Sequence, residues 1–229
     1  MKIKKHKEKA WREGELIPVF GLTRIADRQI PILKEWLDTD PVEFNTIEQY
    51  IFDTALAKAQ KSLAGWNEEE LKIKFIGTVL DLGQMTDDNG VVGYFDKTIW
   101  AMVEGIKLTV KADFMLAKGV LDVFGTPYFH FQEYTPHLPP CRGEVGGKNP
   151  SGDSMAQLLE AFLIAQVKNK NEKPLYGVEI IGKQWSFVVM EGKTYCISKA
   201  FDSTDKEGLM SIIAILRKFR KILYERLID

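Results

Sequence analysis

The sequence predicts an α/β (α+β) chain, a mixed central sheet flanked by helices. Three observations predict it. Apolar residues recur at helical spacing before residue 82, near residue 158 and near residue 213. Three segments between Val91 and Tyr134 are rich in β-branched and aromatic residues, with glycines between them. Three shorter strand patterns lie between the last two helices. Of 229 residues, 45% are hydrophobic and 28% charged, which suits a large folded domain and excludes disordered, collagen-like and mucin-like chains.

In chain order, residues 1–9 form a basic run with no apolar core of signal-peptide length, read as a solvated tail. A helical segment follows from Arg24 to Leu37, interrupted at Pro31. Asn45 or Thr46 caps a longer helix to Ala64, with Ile47, Tyr50, Ile51, Ala55 and Leu63 as its expected buried side. Gly65 ends it. Asn67 caps the next helix, and Glu68, Glu69 and Glu70 fill its first turn, where carboxylates complement the helix dipole. Its stripe is Leu71, Phe75, Ile76, Val79 and Leu80.

Strands are then expected over Gly93–Val103, Ile106–Ala117 and Tyr128–Tyr134, as an antiparallel series. Pro136 to Asp153 reads as a long proline- and glycine-rich loop. Asp153 or Ser154 caps a helix apolar on more than one side. Strands at Leu175–Ile181, Trp185–Met190 and Thr194–Ser198 precede an amphipathic helix from Lys206 to Leu227.

Lys and Arg total 31 against 32 Asp and Glu, so a nucleic-acid contact would have to come from a local patch. Two cysteines, Cys141 and Cys196, cannot build a disulfide framework, and a cytoplasmic setting is the expectation. No stretch approaches the length of a membrane span.

Three acidic residues stand out. Asp113 lies inside an apolar strand, Glu133 near the end of the next, and Glu68 at the opening of a helix. A carboxylate in such a strand is costly to bury unless it is paired or holds a cation. Two of them on neighbouring strands can share a hard cation such as Mg²⁺, which prefers oxygen ligands. On spacing alone, two solvent-facing acids are the favoured reading.

Five segments, in order, resemble the PD-(D/E)XK nuclease superfamily, the restriction-endonuclease-like fold. The closest subtype is the nuclease domain of type I restriction enzyme R subunits. Asn67 to Gly83 is similar to the family's first helix, which opens with a Glu. Lys111–Leu116 is similar to the strand with its metal-binding Asp, and Phe131–Thr135 to its E-x-K strand. Ala156–Ala161 resembles the following helix with its Gln-x-x-x-Tyr pattern, and Tyr176–Phe187 the later strand with Gly and Trp.

The resemblance covers roughly residues 66–200. It implies a nuclease-like domain over 66–229, preceded by a tail and helical extension over 1–65. It also implies Mg²⁺ held by Asp113 and Glu133, Glu68 as an outer helper, Gln157 in the helix pattern, and DNA or RNA as substrate.

Two positions depart from the pattern. Thr135 stands where the family has its lysine and carries no charge, and Ala161 replaces the tyrosine. Lys111, two residues before Asp113, or Lys148 in the loop would then supply the cation. The alternative is a catalytically inactive nuclease-fold domain that binds nucleic acid or a protein. The oligomeric state is open, a homodimer included.

Other motifs carry less. His130, Glu133, His137 and Cys141 match no zinc spacing, and Gly143–Asn149 lacks the P-loop hydroxyl residue. Lys168, Lys170 and the cationic face of the last helix read as solvated surface. Trp100 and Trp185 are expected to fill the core.

Overall fold

A computed structural model describes residues 10–25, 30–85, 90–135 and 153–228. The basic run at residues 1–9 and most of the expected loop, with His137, Cys141 and Lys148, lie outside them. The chain opens with helix α1 (Glu13–Phe20), a short strand β1 (Thr23–Arg24) and helices α2 (Pro31–Leu37) and α3 (Thr46–Ser62). Helix α4 (Glu68–Leu71) runs through a π turn (Lys72–Ile76) into α5 (Gly77–Leu82). Strands β2 (Val91–Val103), β3 (Ile106–Val120) and β4 (Val123–Thr135) form an antiparallel meander. Helix α6 (Ser154–Asn169) then leads to β5 (Leu175–Ile181), which pairs β4 in parallel. Strands β6 (Gln184–Glu191), β7 (Thr194–Ile197) and β8 (Phe201–Asp202) follow, and α7 (Lys206–Ile222) ends in a second π turn (Leu223–Leu227).

All eight strands join one mixed sheet in the order β1-β7-β6-β5-β4-β3-β2, with β8 beside β6. The parallel step from β4 to β5 needs a crossover, and the apolar, many-sided α6 supplies it. Its Leu158, Phe162 and Ile164 are buried with Leu16 and Phe20 of α1 and Phe131 of β4 on one sheet face. The other face holds Trp36, Phe52, Phe75, Phe187 and Phe219, so helices on both sides of residue 66 share that core. Trp36 is fully buried, and its indole N–H donates to the Ile215 carbonyl at 2.9 Å.

The expected cap of α3 is present: Asn45 accepts from the Ile47 and Glu48 amides in a capping box. The expected buried side is only partly right. Ala55 and Leu63 are buried as expected, but Ile47 and Tyr50 are exposed, and Phe52, Leu56 and Ala59 are buried as well. At ~100° per residue, Ile47 and Tyr50 lie roughly 140° and 160° around the helix from Phe52. A helix that touches the core along one narrow stripe leaves them outside. Trp185 is buried as expected, but Trp100 is exposed on the edge strand β2.

One irregularity shapes the site. In β2, Tyr94 and then Ile99, Ala101 and Val103 face the α6 layer. In β3, Val110 and Ala112 and then Met115 and Ala117 do so. Even and odd positions therefore exchange faces once in each strand. The change falls between the pairs Phe95–Phe114 and Lys97–Ala112, where Asp96 and Asp113 drop out of the ladder. Asp96 takes a left-handed φ of 55°, a conformation that aspartate tolerates better than most residues. Two opposed extra residues thus leave the ladder at the same level and are available for side-chain contacts.

Candidate functional site

Four carboxylates and two lysines meet where α4 passes over this irregularity. The Asn67 cap and its capping box with Glu70 set the start of α4, so Glu68 lies one turn before Lys72. The Lys72 ammonium is 2.7 Å from Glu68 Oε1, 3.1 Å from Asp96 Oδ1 and 3.1 Å from Asp113 Oδ1. Lys72 also opens the π turn, a feature that often accompanies functional sites. Its chain is buried, and the ring of Tyr134 lies 5.9 Å from the ammonium. Burial alone would lower the Lys72 pKa. The bonds to Glu68, Asp113 and Asp96 outweigh it, and the pKa is raised, so the side chain is a permanent cation.

Asp113 is the buried partner. Its Oδ1 faces Lys72 and its Oδ2 accepts the Tyr134 amide at 2.7 Å. Desolvation pushes its pKa up, and the Tyr134 amide and the Lys72 charge oppose that rise. Glu133 is almost fully buried, and its pKa lies well above the ordinary carboxylate range. Burial is the main cause, and the charge of Asp113 and a side-chain hydrogen bond with it add to the rise. Asp113 is in contact with Lys72 and Glu133 is not, so the rise is the larger at Glu133. Glu133 Oε1 has no hydrogen-bond partner among the described residues.

Asp96 forms the outer rim. It bonds Lys111 at 2.6 Å as well as Lys72. Burial works against its ionisation, but the bonds from Lys111 and Lys72 win and its pKa is lowered. Lys111 is more than half exposed and reaches the cluster only through Asp96.

The structure brings Glu68, Asp113, Glu133 and Lys111 into one connected group. Gln157 stands half-buried in the first turn of α6, and among the described residues its side chain bonds none of them. Sequence reading missed two members. Lys72 follows Glu68 at i,i+4, the spacing of a helical ion pair, and that was its only signal. Asp96 had none, because its place depends on the break in the ladder.

Glu68, Asp96 and Asp113 each present one carboxylate oxygen, and these oxygens lie within 4.8 Å of one another. Hard oxygen donors in that number suit Mg²⁺ or Mn²⁺ better than a soft metal. Three carboxylates exceed the charge of Lys72 and Lys111 together, with Glu69 a further carboxylate 4.0 Å from Lys72. A groove of roughly 400 Å³ opens alongside, lined by Gly77, Asp81, Phe95 and Phe114. Among the described residues, no helix is long and apolar enough to cross a membrane. No family model matches this chain, and no curated protein sequence matches it.

Proposed function

We propose that this chain is a nuclease-like protein that hydrolyses phosphodiester bonds of DNA or RNA with a divalent cation. The observation that carries the reading is Lys72. The resemblance to PD-(D/E)XK nucleases lacks a lysine at Thr135, and Lys72 brings one within 3.1 Å of Asp113 from the opening helix. The five resembling segments also fall, in order, on α4–α5, β3, β4, the crossover helix α6 and the parallel strand β5.

The donor set fits a hard cation held by Glu68, Asp96 and Asp113; Glu133, almost fully buried, is not among those donors. Bound there, Mg²⁺ would acidify a water and draw charge from the phosphate. The protein's own part follows from its geometry. Lys72 and the Tyr134 amide favour the ionised form of Asp113, and its carboxylate orients the attacking water. The water oxygen forms the new bond to phosphorus as its proton passes to solvent, the ester P–O bond breaks, and the released oxygen takes a proton from solvent. Lys72 offers fixed positive charge where the phosphate gains negative charge, the role the family's lysine fills.

A second reading has its own support. Lys72 already bonds all three carboxylates, so an ammonium satisfies the group with no metal. A fold kept without its chemistry would then bind nucleic acid or a protein. The deciding experiment is calorimetric titration of Mg²⁺ and Mn²⁺ into the wild type and Asp113→Asn. Cleavage of end-labelled DNA and RNA, with metal and with EDTA, follows. Saturable binding lost in Asp113→Asn, with metal-dependent cleavage lost in Asp113→Asn and Lys72→Met, is the expected result. Absence of cleavage on both substrates with both metals would establish the second reading.

A further inference from the structure

The outer face of the β2–β3 hairpin has no core to fill. Beyond the irregularity, Ile99, Ala101, Val103, Leu108 and Val110 point inward and are buried. The alternate positions Thr98, Trp100 and Met102 of β2 stand opposite Lys111, Thr109 and Lys107 of β3 on the other side. Trp100 is 52% exposed, unusual for the residue with the largest apolar surface. Its ring lies under two ammoniums, Lys107 at 5.5 Å and Lys168 of α6 at 5.0 Å. Lys111 bonds Asp96, the rim of the carboxylate cluster. Trp100 is four residues from Asp96, or about 13 Å at ~3.3 Å per residue.

We infer that this face is a track for single-stranded nucleic acid that leads to the carboxylate cluster. Trp100 is the platform for one base, and Lys168 and Lys111 meet the phosphates on either side of it. The link to the cluster rests on the nuclease-like reading above. Positive charge beside an exposed aromatic face is the arrangement that binds single strands, in which every base has a π face to offer. A duplex has already spent those faces on its own stack, so an unpaired strand is the better ligand.

The test is fluorescence anisotropy of a 5′-labelled twelve-nucleotide oligo(dT) in EDTA, where no metal-dependent cleavage interferes. Wild type, Trp100→Ala, Trp100→Phe and Lys168→Ala are compared, with circular dichroism as the check on folding. Wild type is expected to bind the strand more tightly than a hairpin duplex of equal length. Trp100→Ala should weaken binding about five- to hundredfold, and Trp100→Phe should keep most of it. Lys168→Ala should lower the slope of log affinity against log salt by roughly one phosphate contact. No binding at low salt, unchanged binding by Trp100→Ala, or equal preference for duplex overturns the track. So does a dimer in sedimentation velocity that Trp100→Ala dissociates, which would make the face an interface between copies. Binding through Trp100 without cleavage defeats the nuclease reading alone; cleavage without Trp100-dependent binding defeats the track alone.

Discussion

The Lys72 ammonium stands 3.1 Å from Asp113 Oδ1, and both residues are less than a tenth exposed. Each makes the other's burial tolerable. A lone ion in this position would lose its hydration without compensation. Lys72→Met keeps the length of the side chain and removes the charge. It should cost about 3–5 kcal/mol in urea unfolding, the range for breaking a buried pair. The double variant Lys72→Met/Asp113→Asn should recover a large part of that loss. If it is no more stable than the single variant, the pair is not the source of the cost.

Glu133 gives a pH signature. Its folded pKa lies above the unfolded value of 4.5, so the folded state binds the extra proton. The stability from that proton is present below pH 4.5 and is lost as pH rises toward the folded pKa. Glu133→Gln imitates the neutral acid and lacks this loss. Its stability relative to wild type should grow by up to ~1.4 kcal/mol per pH unit as pH rises from 4.5 toward the folded pKa. A difference that stays flat over that window would mean Glu133 is ionised in the folded protein.

His130 shifts in the other direction for the same reason. It is fully buried against Trp36 and Phe219, and desolvation lowers its pKa to about 3. A base with a depressed folded pKa costs stability as pH falls from 6.5 toward 3, because the unfolded chain takes the proton first. His130→Gln should flatten that part of the acid limb by up to ~1.4 kcal/mol per pH unit. Parallel curves for the two proteins would contradict the neutral, buried imidazole.

Gly177 marks where α6 presses on the sheet. A Cβ there would lie 2.8 Å from Leu158 Cδ1, 2.8 Å from Phe162 Cζ and 3.0 Å from the Phe131 carbonyl oxygen. Gly177→Ala should therefore destabilise by about 1–3 kcal/mol through overpacking. Adding Phe162→Leu should return part of the loss by opening space. Thermal unfolding of the three variants checks this.

The elements were legible because their signals are local. Asn67 with three glutamates announces a helix start, and alternation from Ile99 to Val103 announces a strand with one wet face. Trp100 was misplaced in the core because alternation tells which residues share a face but not which face is covered. Only the position of β2 at the sheet edge decides that. Ile47 and Tyr50 failed similarly, since a helix's apolar residues do not say how wide a stripe its neighbours cover.

The candidate site divides along the same line. Sequence alone determined that Glu68, Asp113 and Glu133 stand at a helix start and on two successive strands, because cap chemistry and strand period are properties of short segments. It also determined that Thr135 cannot carry a charge. The tertiary structure decided which lysine takes the centre. Lys111 was adjacent in sequence, but it points to the rim, while Lys72 arrives from α4, 41 residues before Asp113 in the chain. It decided as well that Asp96 joins the group, through a break that both strands must make together. Charges meet in space at distances set by packing between elements, and no local pattern encodes those distances.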